Sequence, residues 1–288
     1  MNSYKEEAIF YLPGIFSHYE LYKVFLKLYQ ENKIFFKDNV KIGAIYDSPF
    51  CIWNGGRFSQ RIMMQQELNE VKEMMETYNI PVRFTFTNTL IEEKHLNDVY
   101  GNMLLEIFNN GNNEIICNKD VLEQYIRNRY KNNYKYISST TKRLNNKDDQ
   151  IQELQKDYYL IVLDYDYNKD FKFLEQIKNK EKCELLCNPV CIDNCPKRKQ
   201  HYDIVSDSQL NYNHIKIDCP YQYNLFNDSI HRKNFISNQD INKYIDLGFK
   251  HFKLEGRDTP DLNLIEILIY YLIKDEYALT VRQILQYI

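Results

Sequence analysis

No stretch of this chain approaches the ~20 consecutive apolar residues that a membrane helix needs, and its opening Met-Asn-Ser-Tyr-Lys-Glu-Glu lacks the basic start and apolar run of a secretory signal. These absences predict a soluble, cytoplasmic protein with no membrane partner. Charge of one sign is equally scarce: 37 basic against 40 acidic side chains leave a net charge of -3, so no global positive field advertises nucleic-acid binding. No Gly/Pro/Ser-rich linker divides the 288 residues, which predicts a single domain over 1–288 with one substantial core. The histidines form no His-Glu-x-x-His pattern, so a zinc-protease mechanism has no support. The Gly55-Gly56 pair lacks the context of a nucleotide-phosphate loop, and no serine has an identifiable activating base.

What the chain does have is a knot of thiols. Cys183, Cys187, Cys191 and Cys195 fall within thirteen residues, and Cys219 follows in Ile-Asp-Cys-Pro-Tyr. An odd total of 7 cysteines, clustered in a reduced compartment, argues against a disulfide framework and for soft-metal ligands. Pro189 and Pro196 favour a loop around Cys191 and Cys195, the local form that metal binding requires. Four thiolates suit zinc as well as an iron-sulfur cluster. Core packing or redox pairing is the competing reading, and Cys117, ending a strand, reads as a buried small hydrophobe.

Short β-rich apolar runs alternate with longer helical ones. Strands are expected at 9–12, 42–46, 82–87, 114–117, 134–138, 159–164, 184–187 and 251–254. Helices are expected at 18–31, 66–78, 92–109, 120–130, 148–155, 170–179, 240–247 and 262–274. Eight such repeats point to an α/β fold, a (β/α)8 TIM-like barrel, irregular or incompletely closed, with a cysteine-rich insertion at about 187–236. An open doubly wound sheet is the alternative.

In a barrel of this kind the chemistry lies just beyond the carboxyl end of each strand. Those positions hold Asp47, Asn88, Cys117, Asn118, Ser138 to Thr141, Asp164, Asp166, Asn188, Glu255 and Arg257. Glu255 and Arg257 flank a glycine, which lets the backbone approach a ligand while a carboxylate and a guanidinium face it; a salt-bridged barrel end is the alternative. Arg57 and Arg61 suit a carboxylate or phosphate. Asp164 with Asp166 can accept protons, hold a cation or cap a helix. Asn88 and Ser139 are candidate substrate contacts. Lys197, Arg198, Lys199 and His201 read first as a solvated helix face.

Three segments together resemble the collagenase-like peptidase family U-32. They are Leu247-Gly-Phe-Lys-His-Phe-Lys-Leu-Glu-Gly-Arg257, Ile52-Trp-Asn-Gly-Gly-Arg-Phe-Ser-Gln-Arg61, and the cysteine region followed by Asn234-Phe-Ile-Ser-Asn-Gln-Asp-Ile241. Their order and spacing agree with the family, and the resemblance runs from about residue 40 to the end. It implies a barrel holding a four-iron four-sulfur (4Fe-4S) cluster on four cysteines, with zinc as the alternative metal. It also implies oxygen-independent hydroxylation of a small aromatic molecule, an RNA base or a peptide more than proteolysis. The chain departs from the family in its Cys-x3-Cys steps. The ligands implied are Cys191, Cys195 and Cys219 with Cys187 as fourth, Cys183 or Cys51 being substitutes. In that reading Glu255, Arg257 and Asp164 serve catalysis while Arg57, Arg61, Asn88 and Ser139 bind substrate. A peptidase, or a non-enzymatic metal-binding subunit of a heteromeric complex with a partner protein, are the other readings.

Overall fold

The computed structural model describes residues 2–287 except 60, 132, 214–218, 220–224 and 258. Eight parallel strands close on themselves in chain order: β1 (Ser3–Pro13), β2 (Asp38–Asp47), β3 (Val82–Phe86), β4 (Glu114–Cys117), β5 (Lys135–Ser138), β6 (Leu160–Val162), β7 (Cys183–Leu186) and β8 (His251–Lys253). β8 pairs back onto β1 through Ile9–His251 to Tyr11–Lys253, which completes the barrel. All eight expected strands are present, with boundaries shifted by a few residues.

Alternation along the strands sorts side chains into two apolar clusters. Outward-facing Phe10, Leu12, Ile45, Phe84, Ile115, Leu185 and Phe252 join the large core beneath the helices. A smaller cluster, Tyr11, Ala44, Tyr46, Ile116, Ile137, Leu160 and Val162, fills the barrel itself. This interior is charged as well as apolar. Arg83 of β3 donates to Glu114 of β4 (Nε to Oε2, 2.6 Å) and to Glu184 of β7 (Nη1 to Oε2, 2.5 Å), while its guanidinium stacks on the Tyr11 ring at 3.9 Å. Barrel interiors of this fold are usually built from branched aliphatics, so the ionic layer is a departure.

The outer helices are α1 (Tyr19–Glu31), α2 (Gln65–Thr77), α3 (Val99–Ile107), α4 (Asp120–Tyr130), α5 (Lys147–Glu153), α6 (Phe171–Gln176), α7 (Arg198–Asn211), α8 (Phe226–Ser229), α9 (Ile241–Asp246), α10 (Asp261–Leu272) and α11 (Ala278–Gln286). The helix expected at 92–109 is shorter. Asp98 caps α3 by accepting from Gly101 N at 2.6 Å, and a separate single turn covers Glu93–His95. The helices α7, α8 and α11 lie outside the eight that were expected. α7 shows a weak apolar stripe because its contacts are largely polar, and that is why periodicity misses it. Among the described residues no helix is long and apolar enough to cross a membrane.

Candidate active site at the barrel mouth

The top layer of the barrel interior forms the floor of a cavity of ≈ 80 Å³. Tyr46, Thr85, Ile116, Val162, Leu186 and Lys253 reach it from six different strands. Its walls come from the connections that follow the strands: Gly55 to Arg57 after β2, Ser139 to Thr141 after β5, Tyr165 after β6, Cys191 after β7, and Glu255 to Arg257 after β8. The helix α7 contributes His201 and Tyr202.

Arg257 is buried and locks one wall together. Its Nη1 donates to Asn54 Oδ1 (2.9 Å) and to Thr85 Oγ1, and its Nη2 to the Gly55 carbonyl (2.8 Å). Asp47 lies 3.7 Å from its Nε. Asp47 is itself fully buried, accepting from the Phe16, Ser17 and Ser48 backbone amides. Burial raises its carboxyl above the usual range against the pull of Arg257. Gly55 passes so close to β3 that a Cβ there would meet the Thr87 carbonyl carbon at 2.4 Å, which explains a glycine at this position.

Glu255 is stitched to the segment that carries the thiols. Asn188 donates from Nδ2 to the Glu255 carbonyl (3.0 Å), the Glu255 amide donates to Asn188 Oδ1 (2.8 Å), and the Val190 amide donates to Glu255 Oε2 (2.7 Å). Arg57 stands 3.7 Å from the same carboxylate at the rim. Tyr165 links the Cys191 and Tyr202 side chains by hydrogen bonds to both. Burial pushes the Cys191 thiol up, opposed by Arg198 and Arg57.

α7 lies across the mouth as a strap. At its start the fully buried Arg198 donates to Asp166 (Nη1 to Oδ2 2.8 Å, Nη2 to Oδ1 2.9 Å) and to Asp164 Oδ1 at 3.3 Å. Further along, Ser206 accepts from Asn88 Nδ2 through its carbonyl (3.0 Å), and Gln209 Oε1 accepts from the Ser59 amide (3.0 Å). The helix thus joins the connection after β6 to those after β2 and β3. Arg198 therefore departs from the expected solvated face: two aspartates hold it inside.

The expected site residues fall into two groups. Glu255, Arg257, Arg57 and Ser139 line the central cavity, with Arg257 committed to its wall. Asp164 lies instead at a rim pocket with Arg143 and Cys195, and Arg143 donates to its Oδ2 at 2.5 Å. Arg61 borders another pocket, beside His18 and Asp261, and donates to the Phe16 carbonyl at 2.7 Å. Asn88 is buried, donating to the Ile52 and Ser206 carbonyls. Sequence reasoning did not single out Lys253, Tyr165 or Tyr202; Lys253 stands inside the Leu247–Arg257 segment, two residues before Glu255, which is the signal that could have found it.

The thiols also divide. Cys51, Cys117, Cys183 and Cys187 are fully buried, whereas Cys191, Cys195 and Cys219 are partly exposed. The Cys187 Sγ lies in the outer core, 3.7 Å from the Leu185 carbonyl, and Cys51 faces Asp98. Cys191 lines the central cavity and Cys195 the rim pocket. Among the described residues no three His, Cys, Asp or Glu side chains come together as a metal-holding group, so in this arrangement the four expected thiols do not fit a four-thiolate centre.

These features define a (β/α)8 barrel with a walled, strapped cavity at the carboxyl ends of its strands. No family model matches the chain. A curated relative from Methanocaldococcus jannaschii, "uncharacterized protease MJ1657", is 32% identical over 115 residues, covering 37% of this chain and 34% of that protein. The match therefore spans about a third of that relative's length. Among solved structures, the U32 peptidase Mk0906 superimposes with a TM-score of 0.54 at 13% identity, over 90% of this chain and 97% of that one. The structural likeness shows the shared barrel fold.

Proposed function

We propose that the barrel mouth is the active site of an enzyme that takes a small aromatic group, as a free molecule, an RNA base or a peptide side chain, and modifies it. The observation that carries this reading is the convergence on one cavity of three tyrosines (Tyr46, Tyr165, Tyr202), a hydroxyl wall (Ser139, Thr140, Thr141) and the charged pair Arg57 and Glu255. An aromatic ring packs against such side chains while hydroxyls fix its polar edge. Hydroxylation is the reaction that the family resemblance implies. Should thiols of this chain hold an iron-sulfur cluster, Cys191, Cys195 and Cys219 are the accessible donors, and the cluster would supply redox chemistry. The peptidase reading, which the name of the M. jannaschii relative brings, needs an activated nucleophile. Burial pushes the Cys191 thiol up, which disfavours the thiolate that such a nucleophile needs.

The test is ligand-induced thermal stabilisation of the intact protein across panels of aromatic acids, nucleosides and short peptides, repeated with Ser139→Leu. Ligands are expected to stabilise the wild type and to lose that effect when leucine fills the hydroxyl wall. Equal stabilisation of both proteins would place binding elsewhere and sink the reading.

A further inference from the structure

We propose that Lys253 is a reactive amine on the cavity floor, which condenses with an aldehyde or ketone carbonyl of a ligand seated in the mouth. The inference rests on the mouth being the ligand site and adds to it a nucleophile and a substrate class, carbonyl compounds.

The geometry is that of an amine held ready. Lys253 is only 7% exposed, yet its side chain lines the cavity. Its Nζ stands 3.7 Å above the centre of the Tyr46 ring and 3.7 Å from Glu184 Oε1. That oxygen makes no hydrogen bond among the described residues, because the other oxygen of Glu184 is committed to Arg83. Lysine becomes nucleophilic when desolvation and nearby cations disfavour its ammonium form. Both operate here. Burial, Arg83 from β3 and Arg257 beyond β8 lower the amine, against Glu184 and Glu255, and bring it to about 8. Near neutral pH the free-amine fraction is then on the order of 10²-fold above that of an ordinary lysine.

The chemistry balances without a further reagent. The neutral Nζ lone pair attacks the carbonyl carbon, forming a C–N bond while the C=O π electrons move to oxygen. The proton shed by nitrogen passes to the Glu184 carboxylate and returns to the departing oxygen. Water leaves with both amine hydrogens and the carbonyl oxygen, and a C=N bond remains. The Tyr46, Tyr165 and Tyr202 side chains that line the cavity favour carbonyls attached to a ring.

The experiment incubates the whole protein with benzaldehyde and sodium cyanoborohydride, whose hydride fixes any imine as a secondary amine, and maps labelled lysines by peptide mass. Lys253 is expected to label roughly tenfold or more faster than the median exposed lysine near neutral pH, given its larger free-amine fraction. Lys253→Arg, which keeps a cation beside Glu184 and is checked for folding by circular dichroism, is expected to lose that fast phase alone. Labelling of Lys253 at or below the surface median would overturn the proposal. Should aromatic ligands bind the mouth while Lys253 stays unlabelled, the amine fails and the site stands. Rapid labelling that no aromatic ligand slows would support the amine and count against the aromatic-site reading.

Discussion

Replacing Arg83 by methionine isolates the energetics of the barrel interior. The side chain is fully buried and satisfies two buried carboxylates, Glu114 at 2.6 Å and Glu184 at 2.5 Å. Removing one partner of a buried ion network leaves uncompensated charge, which costs about 3–5 kcal/mol. Methionine preserves much of the volume against Tyr11, so the cavity contribution stays small. The sign of the pH dependence follows from Glu114. Burial already raises its folded-state pKa, and Arg83 is the main opposing influence. A carboxyl with a raised folded pKa contributes stability that is fully present below its unfolded pKa and is lost as pH rises through the folded value. Without Arg83 that raised value climbs further, so Arg83→Met is expected to be worst near pH 7 and to recover part of its deficit near pH 5. Over two pH units one carboxyl can return up to about 2.7 kcal/mol. Urea denaturation followed by circular dichroism at the two pH values measures both quantities. A deficit below about 1 kcal/mol, or one of equal size at both pH values, would refute the claim that Arg83 neutralises buried carboxylates.

Three further outcomes follow. Gly55→Ala puts a methyl 2.4 Å from the Thr87 backbone, so it is expected to displace the wall and abolish ligand-induced stabilisation, whereas Gly111→Ala, at φ +79° with open space around it, should cost only about 1 kcal/mol. Arg198→Met unpins the start of α7 from Asp164 and Asp166, and faster amide exchange over residues 198–211 is expected; unchanged protection there would mean that the strap is held by Ser206 and Gln209 alone. Iron, sulfide and zinc measured after anaerobic purification should, if any metal is held, fall in Cys191→Ala and Cys195→Ala but not in Cys187→Ala, whose effect should be a stability loss of about 1–2 kcal/mol; metal lost with Cys187 would show that its buried position is not its working one.

The barrel was legible because its strands are short runs of Ile, Val, Phe and Tyr separated by helices with a clear apolar stripe, such as Phe25, Leu26 and Leu28 in α1. α7 was not, since what holds it is Arg198, Ser206 and Gln209 bonding to residues 32 to 150 positions away, and polar contacts of that range leave no periodic trace. The rule that chemistry lies beyond strand ends located Glu255, Arg257 and Ser139 at the cavity. It also gathered Asp164 and Asn88, which share the rim yet turn to Arg143 and to α7, because strand order fixes the end of the barrel on which a residue sits and not the direction of its side chain. Cysteine spacing is limited in a related way. Cys187 continues directly from β7, where the strand's alternation directs its side chain outward into the core with Cys183 and Leu185.

The same alternation explains why the floor of the cavity is chemically distinct from its walls. Inward positions on β3, β4, β7 and β8 hold Arg83, Glu114, Glu184 and Lys253, so the barrel carries two cations against two carboxylates with little water to screen them. A sealed aliphatic barrel would be the simpler way to obtain stability, since buried ion pairs rarely improve on apolar packing. What the ionic layer provides is coupling. Glu184 is shared between Arg83, 2.5 Å below, and Lys253, 3.7 Å away at the cavity, and the shorter contact leaves the lysine the weaker claim on that carboxylate. The charge state of the cavity floor is thus set from inside the barrel, by Arg83 and Glu184, and the walls built by Gly55, Glu255 and α7 decide what is presented to it.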